Sequence, residues 1–124
     1  MARLKEIVID SLDPPALARF WAAALEGYTW RPYDAAEIAR LARLGLTPDT
    51  DTAVALDGNG PTLFFQKTDQ RKTFRNRIHL DLRCDARSRE VSRLTRLGAC
   101  VRDVHASYTV MLDPEGNEFC VQGP

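Results

Sequence analysis

Short apolar runs alternate with one clear helical stripe through the first half of the chain. Ile7-Val8-Ile9 is a β-branched run that predicts a strand. Asp13-Pro14-Pro15 follows, a capping side chain with prolines in the first helical turn, where a missing N–H costs little. Leu17, Phe20, Trp21, Ala24 and Leu25 then recur at i, i+3, i+4, i+7 and i+8, so one face of the helix is apolar, Trp21 belongs to the core, and Gly27 closes the helix. Tyr28-Thr29-Trp30 reads as a strand. Residues 34–44 return to helical spacing, with Ile38, Leu41 and Leu44 among alanines and charges, and Gly45 and Pro48 stop them; this helix is an insertion between strands. Residues 52–56 and 62–66 flank Asp57-Gly58-Asn59-Gly60-Pro61, whose residues supply positive-φ positions for a hairpin.

A polar, charged stretch ends this half, and the same order of elements returns. Residues 77–83 predict a strand, residues 86–97 a helix with Val91, Leu94 and Leu97 on one face, and Gly98 its end. Ile7-Val8-Ile9-Asp10 matches Ile78-His79-Leu80-Asp81, and an Asp, Asp13 or Asp85, then opens each helix. Residues 100–103 and 108–112 predict two further strands. Asp113-Pro114-Glu115-Gly116-Asn117 turns the chain into a last one over 118–122. The pattern is β-α-β-β-β twice: an α+β domain over 1–124, with module 1 about 1–67, a linker about 68–75 and module 2 about 76–124.

Composition narrows the partners. The 124 residues suffice for one domain and one core. Seventeen basic and seventeen acidic side chains cancel and are interspersed, which argues against nucleic acid or an anionic membrane surface as partner. No apolar run approaches the roughly 20 residues of a spanning helix, and residues 1–5 do not read as a signal peptide, so a cytoplasmic protein is expected. Cys84, Cys100 and Cys120 are odd in number and lack CxxC spacing, which favours free thiols over a disulfide framework or structural zinc.

The residues from Asp13 to Trp21, Asn76 to Asp81, Leu97-Gly98-Ala99 and above all Asp113 to Cys120 resemble the vicinal oxygen chelate superfamily, and within it the glyoxalase-like domains. The resemblance implies that the two modules pair into an incompletely closed, eight-stranded, cup-like barrel with its ligand in the concave interior, and that the protein is a homodimer. It also implies a divalent metal, held by His or Glu on the first and last strands of each module.

Against that pattern, His79 occupies the first-strand slot of module 2, with Arg77 and Asp81 on its strand face. Cys120 stands three residues after the Asn of the turn, where the resemblance places a carboxylate; Glu118 and Gln122 share its face. In module 1 the first slot is Val8 by the repeat or Glu6 by counting back from the helix. The last slot is Phe64 or Gln66. A complete ligand set is therefore missing and no cofactor is expected; the metal alternative is a zinc site of His79, Cys120 and Glu6.

His79 suits ligand binding or acid–base work near neutral pH, with Glu6 as its acid–base partner. Arg77, Gln66, Cys120, Gln122, Trp30 and Tyr108 are the remaining ligand-binding candidates. Asp10 and Asp81 recur at one place in both modules, which points to a symmetric structural role. Arg71, Lys72, Arg75 and Arg77 form a basic run, either solvated or an anion-recognising rim. His105 sits in a turn and marks no chemistry. Three functions fit: a small-molecule protein with a metal-independent lyase or isomerase step at His79, a non-catalytic binding protein of the drug-sequestering kind, and a metal-dependent lyase or dioxygenase.

Overall fold

The computed structural model describes residues 1–124. In chain order the elements are β1 (Glu6–Ser11), α1 (Pro14–Ala24), β2 (Thr29–Trp30), α2 (Ala35–Arg43), β3 (Ala53–Asp57), β4 (Thr62–Lys67), β5 (Leu80–Arg83), α3 (Arg87–Leu97), β6 (Cys100–Val104), β7 (Tyr108–Leu112) and β8 (Glu118–Gln122). They form two compact units, residues 1–71 and 72–124. Each unit carries one four-stranded sheet of the same topology, β1-β4-β3-β2 in the first and β5-β8-β7-β6 in the second. The first and last strand of each module pair in parallel and the other neighbours antiparallel. This is the predicted α+β duplication, with α2 inserted in the first copy.

In the first unit, the Asp13 carboxylate accepts the Ala16 N–H at 3.2 Å and Pro14 and Pro15 occupy the first turn, which starts α1 where the sequence predicts. Leu17, Phe20, Trp21 and Ala24 are buried, and α1 packs on β3 and β4, whose Leu56, Leu63 and Phe65 are also buried. Each of the leucine and phenylalanine side chains contributes about 1.5–3 kcal/mol through burial. Asp34 caps α2 by accepting the Glu37 N–H at 2.8 Å. Of the α2 stripe only Leu41 is buried; Ile38 and Leu44 are exposed.

The β3–β4 hairpin corrects one expectation. Gly58 and Gly60 do not have positive φ. They are needed because the Tyr28 ring lies against the turn: a Cβ on Gly58 would stand 2.7 Å from ring carbons, and one on Gly60 2.7 Å from the hydroxyl oxygen. That hydroxyl donates to the Pro61 carbonyl at 2.9 Å. Glycine serves close approach here, not backbone handedness.

In the second unit, Leu94, Ala99, Met111, Phe119 and Val121 form the buried core. The helix does not open on Asp85, as the repeat predicts; its N-cap is Ala86, which makes no side-chain bond, and the Arg87 N–H donates instead to the Pro124 carbonyl at 2.9 Å. The first strand is shorter than predicted, beginning at Leu80, so Ile78 is exposed rather than packed on the helix.

The Asp113–Asn117 turn is closed by its own polar groups. The buried Asp113 carboxylate accepts the N–H groups of Glu115 (2.9 Å) and Asn117 (3.0 Å) and the Asn117 side-chain amide (2.8 Å), while Gly116 supplies φ 85°. Asn117 Oδ1 in turn accepts the Asn76 side-chain amide at 2.9 Å. The turn thereby fixes the irregular segment that leads into β5.

Candidate functional site

Alternation along the strands of the second sheet sends Phe119 and Val121 to the core and Glu118, Cys120 and Gln122 to the opposite side. There they line a cavity of about 470 Å³ with His79, Asp81, Tyr108, Val110, Arg75, Arg102, Asp103 and His105. The volume lies within the range of small-molecule sites, roughly 300–1,000 Å³. One row crosses all four strands: Asp103 opposite Val110, Val110 opposite Cys120, and Cys120 opposite Asp81. The β6–β7 register shifts between Val101 and Asp103, and this bulge lets the adjacent Arg102 and Asp103 both face the cavity.

Most charged groups here already have partners. Glu118 is buried; its carboxylate accepts from Lys72 Nζ at 2.9 Å, the Asn76 backbone N–H at 2.9 Å and Arg102 Nη1 at 3.2 Å. Burial pushes this carboxyl up, but the Lys72 and backbone hydrogen bonds and the Lys72 charge outweigh it and hold it at about 2. Arg102 also lies 3.6 Å from Asp103. Asp81 accepts the Gln122 amide at 3.2 Å, a neutral donor that leaves its charge uncompensated. Arg75 makes no ion pair or hydrogen bond.

His79 Nε2 lies 2.6 Å from the Asn76 carbonyl oxygen. A carbonyl only accepts, so Nε2 carries the hydrogen and Nδ1 is left with the lone pair in the neutral ring. His105 stacks on Tyr108, centroids 4.4 Å apart and planes 20° from parallel, and Arg87 donates to the His105 and Ala106 carbonyls at 3.0 and 2.8 Å. Burial pushes the Cys120 thiol up, and the charge of Asp81 and a hydrogen bond to it act in the same direction against Arg75. Cys120 is thus a protonated thiol beside Asp81, not an activated thiolate.

Ladder register decides the slot question in the first module. Val8 pairs with Phe64 and Asp10 with Gln66, as Asp81 pairs with Cys120 and Arg83 with Gln122. The counterpart of Asp81 is therefore Val8, by the same offset that relates the starts of α1 and α3, and the counterpart of His79 is Glu6. This corrects the repeat read from Ile7-Val8-Ile9-Asp10. Asp10 and Asp81 are not equivalent, although each accepts a glutamine amide: Gln66 donates to Asp10 directly opposite at 3.0 Å, and Gln122 reaches Asp81 diagonally. Phe64 is the counterpart of Cys120.

Of the predicted residues, the cavity brings together His79, Cys120, Gln122 and Tyr108. Arg77 is exposed and does not line it, because the strand begins three residues later; Arg75 takes that position. Glu6, Gln66 and Trp30 belong to the first unit. Glu6 lies 3.6 Å from Lys5 Nζ, Gln66 holds Asp10, and Trp30 carries the Arg19 guanidinium 5.7 Å from its ring centroid. Arg75, Arg102 and His105 were outside the candidate site set. Arg75 belonged to the basic run, but neither the bulge at Arg102 nor the Tyr108 stack leaves a mark in a single strand's pattern.

The donor set does not fit the metal that the resemblance implies. His79 offers Nδ1 as a single open nitrogen, burial and Asp81 push the Cys120 thiol up, and no three of the second module's His, Cys, Asp and Glu side chains converge as a ligand set.

A family profile described as the glyoxalase-like domain matches residues 6–122. No curated protein matches the chain significantly. Among solved structures, a glyoxalase/bleomycin resistance protein/dioxygenase family enzyme from Burkholderia phytofirmans PsJN superimposes with TM-score 0.64 at 17% identity over 98% of both chains. A possible glyoxalase from Bacillus cereus gives 0.65 at 15%, over 98% of this chain and 99% of its own. The fosfomycin resistance protein FosX from Mesorhizobium loti gives 0.68 at 11%, over 98% of this chain and 91% of its own. These likenesses establish a shared fold.

Proposed function

This chain belongs to the glyoxalase-like domain family, and we propose on that premise that it binds a small organic molecule in the second-module cavity, with His79 as the proton-accepting group and no metal required. The observation that carries the reading is the tautomer of His79: Asn76 holds Nε2–H and leaves a lone pair on Nδ1, in a ring that lines the cavity. In a lyase or isomerase step Nδ1 takes a proton from the ligand, and the imidazolium so formed keeps its bond to the Asn76 carbonyl, which stabilises the new charge. Glu6 is not needed for this step.

A second reading, sequestration without turnover, draws support from the same cavity. No carboxylate orients His79, and Glu118 and Asp103 are already bound to cations. Resistance proteins are among the structures of this fold, so fosfomycin and bleomycin are included as test ligands.

Native mass spectrometry of the purified protein, followed by calorimetry with any captured molecule and with the two drugs, tests both readings. Turnover lost in His79→Ala with affinity retained supports the enzyme. Affinity lost in the absence of any turnover supports sequestration. Binding that His79→Ala and Tyr108→Ala both leave unchanged would place the ligand elsewhere and sink the proposal. The reading includes a homodimer in the cytoplasm, with no nucleic-acid or membrane partner; light scattering tests the dimer. No helix is long and apolar enough to cross a membrane.

A further inference from the structure

Resting on that reading of the cavity, we infer that its ligand is dipolar: a small molecule with an anionic group for Arg75 and a cationic, hydrogen-donating group for Asp81. The inference comes from pairing off the charges that line the site. Glu118 is neutralised by Lys72 and Arg102, and Asp103 shares Arg102. Two full charges remain without a counter-ion. Asp81 is bonded to the neutral amide of Gln122, and Arg75 is bonded to nothing. Both line the cavity with Cys120, Asp81 directly opposite it on the β5–β8 ladder, and they act on its thiol with opposite sign. One thiol therefore lies within the fields of a bare cation and a bare anion.

A ligand with only a negative group meets Arg75 but also the repulsion of Asp81, and one with only a positive group meets the reverse. A molecule carrying both satisfies both and brings no net charge into the cavity. The guanidinium presents a planar fork suited to a carboxylate, phosphonate or phosphate. The stacked rings of His105 and Tyr108 line the same cavity and offer aromatic surface to a planar body between the two ends.

The experiment is calorimetry with four matched probes. These are 4-(aminomethyl)benzoate, which carries both charges, 4-methylbenzoate, 4-methylbenzylamine and neutral 4-methylbenzamide. The doubly charged probe is expected to bind about tenfold more tightly than either singly charged one, the scale of one charge-assisted hydrogen bond. Arg75→Gln should reduce it to the level of the amine, and Asp81→Asn to the level of the carboxylate. Arg75 is exposed and unbonded, so its replacement leaves the fold intact even where Asp81→Asn disturbs the Gln122 bond. The inference is overturned if a singly charged probe matches the doubly charged one, or if Arg75→Gln weakens all probes equally. Equal or tighter binding of the neutral amide, abolished by Tyr108→Ala, rejects the dipolar ligand and leaves the cavity reading standing. Failure of every probe to bind counts against both.

Discussion

Asp81 lies directly opposite Cys120 on the parallel β5–β8 ladder, and burial together with the Asp81 carboxylate pushes the thiol up and keeps it protonated. In the slot where the family resemblance expects a metal-binding carboxylate, the chain has a protonated thiol. The chemistry of this pair is open to direct measurement.

Thiol alkylation should follow this pairing. Iodoacetamide at pH 8 is expected to modify the exposed Cys100 first and Cys120 about tenfold more slowly or less, because only the thiolate reacts and Asp81 and burial suppress it. Asp81→Asn should speed the labelling of Cys120. Peptide mass spectrometry over time reads both rates, and equal rates at Cys100 and Cys120 would contradict the assignment.

Glu118 should govern acid stability of the second unit. Its folded value of about 2 lies below the ordinary 4.5, so the unfolded chain binds the proton more readily. The stabilisation is complete above about pH 4.5 and is lost as pH falls towards 2, amounting to about 3 kcal/mol. Urea titrations between pH 6 and 2.5 should show this loss in the wild type and a flatter profile in Glu118→Gln. At neutral pH that variant should be about 1–3 kcal/mol less stable, because Lys72 and Arg102 lose their common anion. Parallel profiles for the two proteins would show that another group controls the acid limb.

The contact between Tyr28 and Gly58 makes a cycle of mutants informative. Gly58→Ala should cost about 1–3 kcal/mol by forcing the new methyl into the ring, with no contribution from backbone handedness. In a Tyr28→Ala background the same change should cost a few tenths of that. Chemical denaturation of the four proteins measures the coupling, and additivity of the two changes would refute the steric account.

Metal loading should leave the protein unchanged. With no three His, Cys, Asp or Glu side chains converging and the Cys120 thiol pushed up by burial and Asp81, added zinc, manganese, iron or nickel is expected to give less than one ion per subunit after gel filtration and no rise in Tm. Stoichiometric retention lost in His79→Ala would overturn this.

The features legible in the sequence are those with local causes. Asp13 caps α1 where the sequence places it, and the Leu17–Trp21–Ala24 stripe is buried as its period requires. Cys120, Gln122 and Tyr108 line one cavity because strand alternation sends every second side chain to the same face, and His79 joins them from the segment just before β5. These follow from dihedral preference and periodicity, which act within a few residues.

Tertiary structure decided what depends on two strands at once. The β1–β4 and β5–β8 registers make Glu6, not Val8, the counterpart of His79, and no period in a single strand carries that information. Arg75 reaches the cavity and Arg77 does not because Asn76, pinned to Glu118 and Asn117, bends the chain before β5. The bulge turns Arg102 inward, and the Tyr28 ring, distant in sequence, sets the demand for Gly58 and Gly60. Sequence by itself determined the elements, their duplicated order and the chemistry available on each face. Which of those groups meet, and which are left with uncompensated charge, was decided only by long-range pairing and packing.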